Sequence, residues 1–274
     1  MNPAVSGQPT REVGCHLELD VLAPARLVLQ VAVADGPTRE VERLEVTCDG
    51  APGPVPREVP TTAGGRLHVL DVGPGRLGVD YRAVVSGAGA PAAPAPDELF
   101  GYLRPSRYCE SDKLLAVATR ELVGDDPATI ARSATAWVGT HLAYVTGSSR
   151  GTDSAVDTLL AASGVCRDYA HLLVALLRAR DVPARLVGVY APGASPMDHH
   201  AVVEAWLGDG WYVFDATALA PRHSLVRVAT GRDAADTAFL TTHGGGAQLI
   251  QSTVTAVAWP ALPVDDGSEL VVLG

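Results

Sequence analysis

The chain has 274 residues, 47% of them hydrophobic and 19% charged, with a formal net charge of −10. This is globular composition, and the length accommodates two domains. The acidic balance argues against general binding to nucleic acid or to an anionic membrane, since both need a basic surface.

Residues 1–14 show neither a basic n-region nor an apolar h-region, so they read as an N-terminal tail without a secretory signal. Residues 15–90 alternate in short runs rich in β-branched side chains: RLVLQVAVA (26–34), VERLEVTC (41–48), RLHVLDVG (66–73) and YRAVVSG (81–87). Gly/Pro clusters separate them, which predicts a small antiparallel β-sandwich. No polar cluster there suggests chemistry, so packing or recognition is the expected role. The Pro/Ala-rich stretch 91–98 reads as a stiff linker. The texture then becomes helical, with helices predicted over 112–122, 126–144, 152–162 and 165–180. Strand-like runs follow at 184–191, 200–207, 211–217 and 247–259. Helices followed by antiparallel strands predict an α+β domain over 99–274. No apolar run is long enough to span a membrane as a helix. Cys15, Cys48, Cys109 and Cys166 form no C-x-x-C pair, which suits neither a zinc knuckle nor a dense disulfide framework; a reduced, cytoplasmic setting is expected.

The fourth helix places Cys166 in its first turn, after Ser163 or Gly164 as a cap. Leu172, Leu173, Leu176 and Leu177 build an apolar face with Tyr169, and Pro183 prevents continuation. First-turn N–H groups and the positive end of the macrodipole favour thiolate over thiol, and the same groups can donate to an oxyanion. Free cysteine is also among the most buried residue types, so from the helix alone core packing and nucleophile are equally good readings.

His200 opens one strand-like run and Asp215 closes the next. A turn centred on Leu207-Gly208 would set them opposite each other; a tight Asp209-Gly210 turn would carry His200 four residues beyond Asp215's partner, out of contact. With contact, the chemistry is that of a thiolate nucleophile, an imidazole acid/base and a carboxylate that holds the imidazole's tautomer.

The blocks GVCRDYAHLLVALLRARDVPAR, HAVVEAW and GWYVFDAT resemble the transglutaminase-like superfamily, whose cores carry G-x-C-x-[DE], I-P-A-R, H-A-[WF]-V-E and G-W-x-x-x-D-[PA]-T in that order. The resemblance covers roughly residues 100–245. SRYCESD (106–112) and GRDAADTAF (231–239) are similar to a bacterial subgroup of transglutaminase-like or cysteine-protease-like proteins. Val202 stands where an aromatic is common, and Ala216 where Pro is common; both are expected in the pocket wall. The resemblance implies a papain-like α+β core, a helix bundle packed on an antiparallel sheet, preceded by an all-β sandwich domain. It also implies Cys166 as nucleophile, His200 as base and Asp215 as orienting carboxylate.

His199 points to the opposite strand face from His200, and the H-A-x-x-E context selects His200. Asp198, His199 and Cys166 make a poor ligand set for zinc, so no metal or cofactor is implied. Val165, Asp168, Trp137 and Tyr144 are candidates for oxyanion or substrate contacts, with capping the favoured role of Asp168 and packing that of the aromatics. His171 is expected to be structural, Glu204 to make a structural ion pair, and GRDAAD to be a turn and helix start. The expected activity is acyl transfer at an amide of a peptide or protein: hydrolysis with water as acceptor, crosslinking with an amine. The alternative is a catalytically silent binding module that keeps the fold.

Overall fold

Alternation near the start of the chain has a direct structural consequence. In the structure, a computed structural model that describes residues 9–89 and 94–273, strand β1 (Thr10–Ala23) buries Val13, Cys15, Leu17, Leu19 and Val21 and turns His16, Glu18 and Asp20 outward. Residues 1–8 of the expected tail, residue 90 at the end of the expected sandwich and residues 91–93 of the expected linker lie outside the described residues; the strand itself starts inside the expected tail. β2 (Ala25–Leu29), β3 (Thr38–Cys48), β4 (Ala51–Pro52), β5 (Arg57–Pro60), β6 (Arg66–Val72) and β7 (Gly75–Ser86) follow.

Helices come next: α1 (Pro96–Gly101), which replaces the end of the expected linker, α2 (Ser111–Glu121) and α3 (Pro127–His141), the last capped by Asp126 accepting from the Thr129 N–H. A two-residue strand β8 (Ala143–Tyr144) pairs in parallel with β9 (Ser163–Gly164), on either side of α4 (Ala155–Ala161). α5 (Cys166–Arg178) then leads into β10 (Ala184–Tyr190), β11 (His200–Trp206), β12 (Trp211–Phe214), β13 (Val226–Gly231), α6 (Ala234–Thr237), β14 (Leu240–His243) and β15 (Gly246–Trp259). No described helix is long and apolar enough to cross a membrane.

The molecule contains a sandwich and an α+β layer. One sandwich sheet has the order β15-β1-β7-β3-β4, the other β14-β2-β6-β5; the sheet of the α+β part is β12-β11-β10-β13. The placement of β14 and β15 corrects the expected domain division. Instead of joining a unit spanning 99–274, β15 pairs with β1 from Thr10↔Trp259 to Ala23↔Gly246, and β14 pairs with β2. The sandwich thus uses both ends of the chain, with the α+β part between them. The reason is ladder completion: β1 and β2 each need a second neighbour, and the late strands supply it.

The run at 26–34 is also only partly a strand. β2 stops at Leu29, and Val31, Ala32, Val33 and Ala34 are all buried without a ladder. Their polar groups go elsewhere. Gln30 N–H donates to the Phe239 carbonyl, Ala34 N–H to that of Arg227, and Val33 N–H to the Tyr81 hydroxyl, while the Val31 carbonyl accepts from Tyr190. This segment seats the sandwich on the α+β sheet, and Tyr190, Val226, Val228 and Ala229 belong to the sandwich core cluster.

α5 is the central helix. Every residue from Cys166 to Arg178 except Arg167 is buried, so the helix is covered on all sides rather than along one stripe. Leu172, Leu173, Leu176 and Leu177 pack against α2, α3 and the sheet; each contributes about 1.5–3 kcal/mol by full burial. The opposite sheet face buries Val187, Val189 and Val213 beneath the C-terminal Val271 and Leu273. Val202 belongs to that cluster.

Candidate active site

Cys166 is the first residue of α5, and the turn that presents it is built locally. Asp168 reaches back to accept the Val165 N–H through Oδ2 at 2.8 Å, so the cap of this helix end comes from inside the helix rather than from Ser163 or Gly164. Arg167 holds the other Asp168 oxygen at 3.0 Å and also bonds the Arg150 carbonyl. Gly164 is required by contact: a Cβ there would lie 2.6 Å from the Asp168 Cβ. Asp168 therefore caps, as expected, though it is buried. Val165 is removed as an oxyanion donor, because its N–H is already engaged.

The β11–β12 hairpin has a register between the two alternatives considered above. Trp206 pairs with Trp211 and Val203 with Phe214, leaving a four-residue loop at 207–210. Asp215 follows Phe214, the last paired residue of β12, and His200 opens β11, so both stand at the same end of the hairpin, within side-chain reach. His200 Nε2 donates to Asp215 Oδ2 at 2.8 Å. The second Asp215 oxygen accepts the Thr217 N–H at 2.9 Å and the Thr217 hydroxyl at 2.6 Å. Cys166 is among the groups that favour a charged His200 ring, and with Nε2 engaged by Asp215, Nδ1 is the ring nitrogen left for the sulfur. The Cys166 Sγ also lies 3.6 Å from the His199 carbonyl oxygen.

Burial opposes a charged ring at His200, but the Asp215 carboxylate, its hydrogen bond and the Cys166 thiol outweigh it and raise the imidazole to about 10. The Asp215 carboxyl, which burial would push up, is held below its ordinary range by His200 and then by Thr217. Tyr144 lines the same cavity as Cys166 and His200. Burial, and then the nearby thiol, push this phenol up to about 12, so it keeps its proton.

Other residues fall outside the cluster. Trp137, a candidate substrate contact with packing as its favoured role, stacks on His141 at 3.9 Å and donates to Glu121; i and i+4 spacing sets the two rings on one face of α3. Val202 packs in the sheet's far core cluster rather than in the wall of the main cavity, while Ala216 sits beside Cys166 and Asp215 in a separate narrow crevice that Val202 also touches. Glu204 makes a buried ion triad with Arg185 and Arg227. His171 stacks on Tyr108 and accepts the Ala234 N–H, anchoring α6. Cys109 is fully buried, and burial pushes its thiol to about 12.

A cavity of about 250 Å³ opens beside Cys166, walled by Leu186, Gly188, Tyr190, His199 and Phe239, and on the sandwich side by Gln30 and Val31. The sandwich wall was missed in the sequence. Its available signal was QVAVA (30–34), an apolar run without polar alternation, which marks burial on every side.

The chain matches the family model described as the transglutaminase-like superfamily over residues 118–216. It is similar to a crystal structure of a candidate cysteine protease from Cytophaga hutchinsonii, at 30% identity and a TM-score of 0.84, covering 93% of this chain and 92% of that one. It is also 30% identical over 150 residues to an uncharacterized protein of Mycobacterium leprae. That match takes in 50% of this chain and 52% of the relative, so the chain spans about half the length of the curated relative it matches.

Proposed function

The chain belongs to the transglutaminase-like superfamily, and from that premise we propose that it is a cysteine enzyme of amide acyl transfer, with Cys166 as nucleophile, His200 as acid and base, and Asp215 as the group that orients and charges the ring. The observation that carries this reading is the position of His200: buried, 2.8 Å from Asp215 on one nitrogen, and sharing a cavity wall with Cys166, whose sulfur favours the charged ring.

The step is as follows. The Cys166 thiol gives its proton to His200 and its sulfur attacks the amide carbon, forming a C–S bond as the carbonyl electrons move onto oxygen. The oxyanion takes the Cys166 N–H, at the first turn of α5, and the Tyr144 hydroxyl, which lines the same cavity. Collapse of the intermediate breaks the C–N bond, and His200 gives its proton to the departing amine. Water or a second amine then loses a proton to His200 and displaces the thiolate, releasing acid or a new amide.

Peptide or isopeptide hydrolysis is the leading assignment, supported by the similarity to a candidate cysteine protease. The test is turnover of a peptide amide library with and without an amine acceptor, by the native protein and by Cys166→Ala. Acid products that vanish in Cys166→Ala support hydrolysis, and acceptor adducts would move the assignment to transfer. Equal turnover by both proteins would refute the enzyme reading and leave a binding module.

A further inference from the structure

The cavity beside Cys166 has one chemical character through most of its wall. Val31, Leu186, Tyr190 and Phe239 present carbon surface, and Gly188 leaves the floor open. The His199 ring stacks on Phe239 at 4.1 Å, and its buried Nε2 has no protein partner. Burial lowers this imidazole to about 4, so the wall carries no charge there at neutral pH. The charged groups near the mouth offer little to an ion inside: the Arg167 guanidinium is bound to Asp168, and Asp198 is exposed and accepts the His199 N–H. His200 also lines the cavity, but its charge is already paired with Asp215, so a charged side chain entering would lose its water without meeting an unpaired counter-ion, a cost of several kcal/mol. A dry cavity of about 150 Å³ already holds benzene, so about 250 Å³ takes a leucine, methionine or phenylalanine side chain.

We propose that this cavity is the specificity pocket of the enzyme, that it receives a neutral apolar side chain on the substrate residue adjoining the scissile amide, and that the β-sandwich is part of the active site because its segment 30–31 closes the pocket. The proposal rests on the reading of Cys166 as nucleophile, whose wall the pocket shares. The sandwich wall is rigidly seated. Tyr190 donates to the Val31 carbonyl at 2.7 Å, and the Gln30 side-chain amide donates to the Asp236 carbonyl at 2.9 Å. Gly188 sets the depth: a Cβ added there meets the Ala229 Cβ at 3.8 Å and the Thr237 carbonyl oxygen at 3.9 Å, ordinary contacts with residues that line the same cavity, so a larger side chain takes up cavity space.

The experiment measures labelling of Cys166 by N-acetyl-X chloromethyl ketones, with X as Leu, Phe, Asp or Lys, and by iodoacetamide as a probe too small to need the pocket. Sites and rates are read by peptide mass mapping in the full chain. The Leu and Phe probes are expected to label at least tenfold faster than the Asp and Lys probes. Gly188→Val is expected to bring Leu and Phe down to the level of the charged probes while the iodoacetamide rate stays within twofold. Phe239→Ala, which enlarges the pocket, shifts the preference from Leu towards Phe. Equal rates for apolar and charged probes, or selectivity unmoved by both variants, would overturn the pocket assignment while leaving the nucleophile standing. If instead iodoacetamide labels Cys166 no faster than the same residue in His200→Ala, the nucleophile reading itself fails, and the pocket assignment with it.

Discussion

At His200 and Asp215 the two protonation equilibria predict how stability should follow pH. The imidazole is raised from its ordinary value to about 10, so its stabilising contribution is fully present below about 6.5 and is lost as pH rises towards 10. Asp215 is depressed, so its contribution is present above the ordinary carboxylate range and is lost only as pH falls below it. Removing one partner of such a buried pair costs about 3–5 kcal/mol. Asp215→Ala should therefore differ most from the native chain between about pH 4.5 and 6.5, with the gap narrowing steadily towards pH 10. Denaturant titrations across that range check it; a gap that widens above pH 7 would contradict the pairing. Tyr144→Phe removes only a hydroxyl, and is expected to lower kcat by about 10²–10³ with little change in KM. These residues were readable to different degrees. Cys166, His200 and Asp215 were legible because each stands in a block of several coincident residues. The capping reach of Asp168 was legible as well, whereas the stacking of Trp137 on His141 was not, because an aromatic on a helix shows its spacing but not which neighbour it covers.

The helix that carries Cys166 depends on a close approach at its start. In Gly164→Ala the new methyl would stand 2.6 Å from the Asp168 Cβ and 2.8 Å from its Oδ2, forcing apart the bond between Asp168 and the Val165 N–H. A loss of about 1–3 kcal/mol is expected from overpacking, with a larger fall in activity because Cys166 is the next-but-one residue. Thermal melts and thiol labelling of the variant measure the two effects separately. α2 to α5 and β10 to β12 were all legible as elements, because period and caps are local signals. The hairpin register was not, since a four-residue loop and a two-residue turn fit the same residues. Nor did local pattern show that 30–34 leaves its ladder, because its hydrogen-bond partners, Phe239, Arg227 and Tyr190, lie far along the chain.

On the scale of the whole molecule, the late strands bind the sandwich and the α+β part into one unit. The pairing Thr10↔Trp259 joins residues from the two ends of the chain. Such pairing leaves no local trace, which is why β14 and β15 were expected to close a C-terminal domain instead. Of the four tryptophans, only Trp259 lies in a sandwich sheet; Trp137, Trp206 and Trp211 lie in the α+β part. In Trp259→Phe, fluorescence reports the α+β part alone, while far-UV circular dichroism reports both. Coincident unfolding curves are expected for a chain whose sandwich is closed by its last strands, and two separated transitions would show independent domains.

The central claim is that His200 makes Cys166 a nucleophile. Its most direct measurement is the rate of Cys166 alkylation by iodoacetamide at pH 6 in the native chain and in His200→Ala, with the other three cysteines as internal references. The account predicts that Cys166 reacts first in the native chain and slows at least tenfold in the variant, while the reference thiols are unchanged. Equal Cys166 rates in the two proteins would contradict it.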